Sequence, residues 1–298
     1  MNCDRTQALR RLADTLHRRD PMANKGTYGT LTVVAGSRYY RGAAGLAVSA
    51  ALRSGVGIVR LASCEEVIAA TAAKVSEAIF LPLLATEKGG IDAEDFMKHL
   101  PAIAKSRAVL VGCGMTDSPD TGAVVRSLLY HGEYPLILDA DGLNVLKTCP
   151  ALLCEAKLPP VITPHVGEMA RLTGQSISEV LSDRRQTAQN FAREYRCVTV
   201  LKDAVTTVAA PDGRCFVSDA PNSGLAKGGS GDVLAGITAS LVCQGYDGFT
   251  AATCAVTLHS LAASYAAETY TEEAMLPSDL VTMLPRVFDG VRKERSLL

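Results

Sequence analysis

The chain has no excess of charge. Its 298 residues hold 30 Lys and Arg against 31 Asp and Glu, a net of −1. That balance excludes the broad basic face with which a protein neutralises nucleic-acid phosphates, while leaving room for a local anion site. It has no CxxC pair. The nine cysteines are scattered and odd in number, which excludes a zinc ribbon and argues against a disulfide scaffold. Most stand in apolar runs such as 198–201 and 241–244, as reduced thiols of a cytoplasmic protein do. There is no apolar leader, because MNCDRTQALRRLADTLHRRD is polar and charged, unlike a signal peptide. There is no apolar helix of bilayer length either: 233–243 is too short, and 251–267 carries His259 and several hydroxyls. Gly at 25 and Pro at 13 are near average usage, which argues against disorder or a fibre. The expectation is a soluble cytoplasmic protein with no nucleic-acid or membrane partner.

What is present is an alternation of strand-like and helix-like runs. Strands are predicted at 30–35, 57–62, 78–83, 108–112, 136–139, 161–163 and 198–201. Helices are predicted at 42–54, 67–75, 120–130, 229–244 and 250–269. Ser176 and Glu179 form a capping-box pair, opening a helix expected to run to Tyr195. The sequence Pro211-Asp-Gly213 between 206–210 and 214–218 predicts a hairpin. Continuously apolar strands such as AVLV and LIL are those of a sheet covered on both faces. The β–α alternation therefore predicts a mainly parallel sheet with helices on both sides and an antiparallel edge. No linker or repeat divides the chain, so one domain is expected over 25–298, with 1–24 a helical extension.

The densest chemistry is NSGLAKGGSGD at 222–232, which runs directly into an apolar helix. Gly228, Gly229 and Gly231 let the backbone turn sharply and approach a ligand closely. The helix N-terminus offers unpaired N–H groups and the positive end of its dipole, a combination that binds phosphate. Asp232 in the first turn is either a capping carboxylate or a general base facing a substrate hydroxyl beside the phosphate. No Walker A loop exists in the chain, and Gly112-Cys-Gly114 lacks the third glycine of a dinucleotide fingerprint. That glycine pair still follows a parallel strand, where α/β sheets bind ligands. Other strand ends carry Asp139, Asp141 and Asn144, then Thr163, His165 and Glu168, then Lys202-Asp-Ala-Val-Thr206. Each alone reads as a turn or cap residue, but their convergence on one sheet edge favours a site. His165 is placed to hydrogen-bond a substrate. Glu168 is a candidate to hold Mg²⁺ through water. His17, His99, His131 and His259 are read as surface or core.

A series of motifs in order carries a family resemblance: KGTYG at 25–29, AGSRYYRGAA at 35–44, ALRSGVG at 51–57, Gly112-Cys-Gly114, DADGLN at 139–144, TPHVGE at 163–168, KDAVT at 202–206 and GGSGD at 228–232. From about residue 25 to about residue 285 the chain resembles the NAD(P)H-hydrate dehydratase family in its stand-alone bacterial form. The resemblance implies a ribokinase-like three-layer α/β/α sandwich. It implies a hydro-lyase that returns the S epimer of NADHX or NADPHX to NADH or NADPH, consuming ADP or ATP with Mg²⁺; bacterial members typically use ADP, releasing AMP and phosphate. It implies that Ala44, Gly114, His165 and Asp232 contact the hydrated dinucleotide. Lys202, Asp203, Ala204, Val205, Thr206 and Gly231 would contact the nucleotide. The amides of Gly228, Gly229, Ser230 and Gly231 would form an anion hole, and Asp232 would be the catalytic base. A separate NAD(P)H-hydrate epimerase and a homotetramer are further expectations.

Three positions depart from the family's pattern: Asn24 in place of His, Lys227 in place of Thr and Asp203 in place of Gly. Lys227 either adds charge near the phosphates or faces solvent, and Asp203 sets like charge beside an anionic nucleotide. The other readings are a ribokinase-like small-molecule kinase, such as a vitamin-precursor kinase, and a nucleotide-binding regulatory protein without turnover.

Overall fold

A computed structural model describes residues 2–218 and 220–297, with side chains from residue 5. Nine strands form one sheet: β1 (Thr30–Val34), β2 (Ile58–Cys64), β3 (Ile79–Leu83), β4 (Ala108–Val111), β5 (Leu136–Leu138), β6 (Val161–Ile162), β7 (Val198–Leu201), β8 (Thr207–Ala209) and β9 (Cys215–Val217). Their order is β3-β2-β1-β4-β5-β6-β7-β8-β9. The first seven are mutually parallel; β8 and β9 pair antiparallel at the edge. The chain moves outward from β1 to β3, then returns to place β4 on the other flank of β1. The junction of β1 and β4 is thus the point where the winding reverses, and ligand crevices form there.

Among the described residues, twelve helices cover the sheet: α1 (Asn2–Thr15), α2 (Arg41–Arg53), α3 (Glu65–Ala72), α4 (Ala93–Ile103), α5 (Pro119–His131), α6 (Asp141–Asn144), α7 (Val166–Thr173), α8 (Ile177–Ser182), α9 (Arg184–Glu194), α10 (Ser230–Cys243), α11 (Gly248–Ala274) and α12 (Pro277–Leu297). Side chains alternate across a strand, so each strand feeds two cores. Leu31, Val33, Ala108 and Leu110 join the core beneath α1–α3 and α10–α12. Val34, Val109, Val111 and Leu138 join the core beneath α4–α9. This is the three-layer sandwich that the alternation predicts. The parallel strands are buried on both faces, which is why they read as unbroken apolar runs.

Strand and hairpin positions agree with the sequence reading to within two residues. The helix expected to run from Ser176 to Tyr195 is instead two. Asp183 leaves helical geometry (φ −147, ψ 70) and its side chain accepts from the Gln186 amide to cap α9. A short acidic side chain competes well for the backbone at such a break. Helices α4, α6, α7 and α12 were not anticipated; α4 and α12 carry internal prolines, which obscure a helical pattern. Five of the eight described cysteine side chains are buried: Cys64, Cys113, Cys197, Cys243 and Cys254. Cys149 is exposed, and none of the eight is bridged. The side chain of Cys3 lies outside those described. Among the described residues, no helix is long and apolar enough to cross a membrane.

Candidate active site

Because β1, β4, β5, β6 and β7 are parallel neighbours, their following residues collect on one edge. Gly112-Cys-Gly114, Asp139, Thr163 to His165 and Lys202 arrive there from four strands in succession. Gly112 has φ +123, and a Cβ on it would meet the Asp139 carbonyl and the Gly142 amide. Only glycine lets the two strand ends close together there. Ala140, between Asp139 and Asp141, sits at φ 49, ψ −116. That is a strained geometry for a residue with a Cβ. It turns the two aspartates apart: Asp141 accepts from the Thr116 amide at 2.8 Å, while Asp139 turns into the site.

Asp139 is 2% exposed and is fully engaged. Its Oδ1 accepts from Lys202 Nζ at 2.6 Å and from Thr163 Oγ1 at 2.7 Å. Its Oδ2 lies 3.7 Å from the Cys113 thiol, which donates to it. Burial opposes charge on Lys202, but Asp139 and Glu168 outweigh it and hold the ammonium above its ordinary range. A buried charge survives only with such a partner.

Above this cluster lies the glycine loop. Gly229 takes φ +105 as the N-cap of α10, and a Cβ there would press on Leu46 and Pro277. A Cβ on Gly231 would stand 3.2 Å from Lys202 Nζ, so the loop rests directly over the lysine. The buried hydroxyl of Ser230 has no partner among the described residues, and the Ser230 carbonyl meets His259 Nε2 at 3.0 Å. Burial pushes His259 down to about 4, so it is neutral and donates that hydrogen bond. His259 therefore braces the loop from below, a role the sequence reading did not give it.

Asp232 follows on the first turn of α10. Its carboxylate lies within 4.8 Å of Cys113 Sγ and an Asp139 oxygen. Burial, and then the charge of Asp139, push it up to about 7; the Cys113 thiol and Lys202 restrain the rise. Burial also drives the Cys113 thiol far above its ordinary value, so it stays protonated and serves as a donor, not a nucleophile. At a pKa near 7, Asp232 combines appreciable ionisation with a proton affinity suited to general-base work.

His165 N-caps α7. Its Nδ1 accepts from the Gly167 amide at 2.9 Å and the Glu168 amide at 3.4 Å, while Glu168 Oε2 accepts from the His165 amide at 2.8 Å. Burial, with Lys202 and Arg171, lowers the His165 pKa. The neutral ring with Nδ1 accepting leaves Nε2–H as a donor; it lies 3.4 Å from Glu168 Oε1, on a side chain that is 53% exposed and so within a ligand's reach. Glu168 is 5% exposed, and burial, then Asp139, raise it to about 7 against the pull of Lys202 and the His165 amide.

The remaining candidates fall as follows. Gly114 (φ +65) abuts Tyr40 and Ala43. Ala44 is fully buried in α2 and offers a ligand no side-chain surface. Asp203 and Ala204 are exposed and Val205 and Thr206 half-buried on the turn between β7 and β8. Asp203 is paired with Arg184 at 2.6 Å, so its charge is already answered. Lys227 does not extend freely into solvent. Its ammonium donates to the carbonyls of Glu273 and Met275 at 2.5 and 2.7 Å, tying the glycine loop to the end of α11. Asn24 accepts from the Gly26 amide at 2.9 Å. Asp139, read from sequence only as one of the converging strand-end residues, and Cys113, which that reading gave no role, are central here; their place directly after parallel strands was the available signal.

The residues do not form a Mg²⁺ cage. The one convergent donor set among the described residues, Cys113, Asp139 and Asp232, includes a soft thiol and abuts the Lys202 ammonium, whereas Mg²⁺ takes hard oxygens in near-octahedral array. One Glu168 oxygen is bound to a backbone amide.

Residues 31–286 match the family model for NAD(P)H-hydrate dehydratase. A bifunctional NAD(P)H-hydrate repair enzyme of Moorella thermoacetica is 37% identical over 279 residues, 94% of this chain and 53% of that protein. The chain spans about half the length of the first such relatives. An ADP-dependent (S)-NAD(P)H-hydrate dehydratase of Bacillus subtilis is 34% identical over 92% of this chain and 94% of its own. The crystal structure of the Bacillus subtilis ADP/ATP-dependent NAD(P)H-hydrate dehydratase, co-crystallised with ATP/Mg²⁺, superposes with a TM-score of 0.81 at 31% identity. That match covers 95% of this chain and 97% of the other. A ribokinase-like superfamily protein of Enterococcus faecalis, at 23% identity and a TM-score of 0.81, shares the fold.

Proposed function

The chain belongs to the NAD(P)H-hydrate dehydratase family, and from this we propose that it returns the S epimer of NADHX or NADPHX to NADH or NADPH at the expense of a nucleotide. ADP is the donor favoured by the relatives' names. The observation that carries the reading is Asp232, raised to about 7 on the helix turn directly after a left-handed glycine.

The chemistry follows from that placement. Hydroxide is a poor leaving group. Asp232 accepts the proton of the ring hydroxyl as its oxygen attacks the terminal phosphoryl group of ADP, releasing AMP. The amides of Gly228, Gly229 and Gly231 meet the charge on the transferring group, with the dipole of α10 behind them; the Ser230 amide, expected to join them, donates instead to the Lys227 carbonyl at 3.2 Å. The ring nitrogen then pushes electrons toward the carbon bearing the phosphate, which leaves, and the neighbouring carbon yields a proton to restore the double bond. His165 Nε2–H and the backbone at Gly114 orient the dinucleotide, with Ala44 behind them as packing. Lys202 to Thr206 line the nucleotide's approach. Mg²⁺ belongs with the nucleotide phosphates and not with a resident protein site; when present it neutralises phosphate charge.

In this reading residues 25–298 act as one catalytic domain, 1–24 are a helical extension, and a separate NAD(P)H-hydrate epimerase supplies the S epimer. A cytoplasmic homotetramer is the form proposed. The test is the near-ultraviolet absorbance of reduced nicotinamide after the protein meets hydrated NADH with Mg²⁺ and either ADP or ATP. A rise that requires nucleotide supports the proposal and names the donor. No rise from protein that still binds nucleotide would overturn it in favour of a ribokinase-like kinase acting on another hydroxyl.

A further inference from the structure

A cavity of about 820 Å³ opens far from the glycine loop. Both α2 and α10 begin at the active-site edge, and their C-terminal ends, at 52–55 and 241–244, line this cavity. Helix α10 has 14 residues, which puts about 20 Å between its two ends. The remaining walls come from the segment after α1 and from α12.

The cavity is amphipathic. Leu16, Leu52, Leu241, Phe288 and Val291 contribute an apolar surface, and His17 stacks on Tyr246 with ring centroids 4.7 Å apart. Five arginines share the lining: Arg18, Arg19, Arg53, Arg292 and Arg295. The one carboxylate among the lining residues is Asp289, already held by Lys293 at 2.8 Å.

Two of the five arginines have a structural task. Arg295 donates to the carbonyls of Ala13, at 3.1 Å, and Leu16, and Arg19 donates to the Gly55 carbonyl. These are helix-end carbonyls, which attract cations. The other three are not so explained. Arg18 makes a 3.5 Å contact with the Arg295 carbonyl. Arg53 and Arg292 have no hydrogen bond or ion pair among the described residues. Gathering five guanidinium groups around one concavity costs mutual repulsion that a bound anion relieves, and a concave wall concentrates their field. Guanidinium groups match the oxygens of phosphoryl groups in two-point fashion. The volume lies within the usual range for small-molecule pockets, about 300–1,000 Å³.

We infer that this cavity is a second ligand site, selective for an organic phosphate: a small molecule with two or more phosphoryl charges for the arginines and an apolar or aromatic body for the leucine and phenylalanine wall. The inference rests on the cavity alone and stands whether or not the glycine loop catalyses the proposed reaction. Because α10 joins the two sites end to end, occupancy here is placed to act on the glycine loop.

ATP, titrated calorimetrically without Mg²⁺, is the probe. Wild type is expected to take two molecules per chain. The triple variant Arg18→Gln/Arg53→Gln/Arg292→Gln is expected to take one, with affinity at the lost site down by at least about tenfold for each guanidinium contact removed. These three side chains are exposed, and an unchanged melting temperature in the variant establishes that the fold is intact. Should the triple variant unfold, the single variants Arg53→Gln and Arg292→Gln serve, each weakening one of the two sites. Inorganic tripolyphosphate should bind the cavity more weakly than ATP, because it lacks the apolar body. A single ATP site untouched by the substitutions, or no binding at all, overturns the inference. A single site abolished by them upholds it and instead removes support from the glycine loop as a nucleotide site.

Discussion

Replacing Asp232 by Asn should change activity and stability in opposite directions. The carboxyl sits at about 7 against an ordinary 3.8, a rise of three units, because burial and Asp139 penalise its ionised form. For an acid raised in this way the folded state binds the proton more tightly than the unfolded chain. Stability is therefore highest at acid pH, falls as pH climbs from about 4 to about 7, and is fully reduced above 7. Three units correspond to about 4 kcal/mol. Asn keeps the shape and carries no charge to bury. At pH 8 the variant should thus melt higher than wild type by about 8 °C, taking ~2 °C per kcal/mol for a chain of this size. At pH 4 the two should melt together.

Turnover should fall by about 10²–10⁴-fold, the usual share of a general base. In wild type the rate should rise tenfold per pH unit below about 7 and level off above it, as the base loses its proton. In the variant that limb should vanish. The assay is formation of reduced nicotinamide from hydrated NADH across pH 5–9, beside scanning calorimetry of both proteins. A variant that turns over like wild type, or that retains the same acid limb, would refute Asp232 as the base. It would shift the limb to Glu168, which titrates in the same range. A variant no more stable than wild type at pH 8 would refute the burial argument itself.

Further outcomes follow from the same cluster. Lys202→Met leaves Asp139 buried without its 2.6 Å partner; calorimetry should show a loss of about 3–5 kcal/mol, the cost of orphaning a buried charge, and the acid limb should move to higher pH. Cys113→Ala removes a donor that restrains Asp232, so the limb should also rise, with the rate at pH 6 reduced several-fold and the rate at pH 9 nearly kept; an unmoved limb would show that the thiol does not govern the carboxyl. Gly229→Val puts a branched side chain at φ +105 against Leu46 and Pro277, and should raise the nucleotide KM well beyond any change in the melting temperature.

The parallel sheet was legible because its strands are buried on both faces and so read as plain apolar runs. The glycine loop was legible because Gly229 requires a conformation that side chains resist. The polar strand ends were visible one by one, but their meeting was a consequence of strand order. Asp139 and Lys202 are 63 residues apart, and nothing local to either announces the other. His259 looked like a core residue of an apolar helix, which it is; its bond to the Ser230 carbonyl is set by the packing of α11 under α10. Lys227 was judged by its nearness in sequence to the glycines, whereas its ammonium reaches carbonyls near the end of α11. The single helix expected through 176–195 failed at Asp183, where a local cap defeats a periodic pattern.

Lys202 has more to do in this site than meet a phosphate. An aspartate at its ordinary pKa would be ionised at neutral pH but too weak a base to take a hydroxyl proton. Burial corrects the weakness, and two neighbouring acids, Asp139 and Asp141, threaten to overcorrect it. Were Asp232 pushed far above 7, it would be protonated at neutral pH and useless as a base. The ammonium of Lys202 opposes that rise in both Asp232 and Glu168, while its bond to Asp139 fixes it directly under Gly231. In the proposed reaction Lys202 therefore holds the base within range and supplies positive charge beneath the amides proposed to receive the phosphoryl group. The two roles can be separated. Lys202→Arg keeps a cation but not the compact ammonium in a 2.6 Å contact, so it should restore much of the lost stability while leaving the acid limb and the nucleotide KM displaced. If Arg restored all three together, bulk positive charge alone would account for Lys202, and its placement beneath the loop would be incidental.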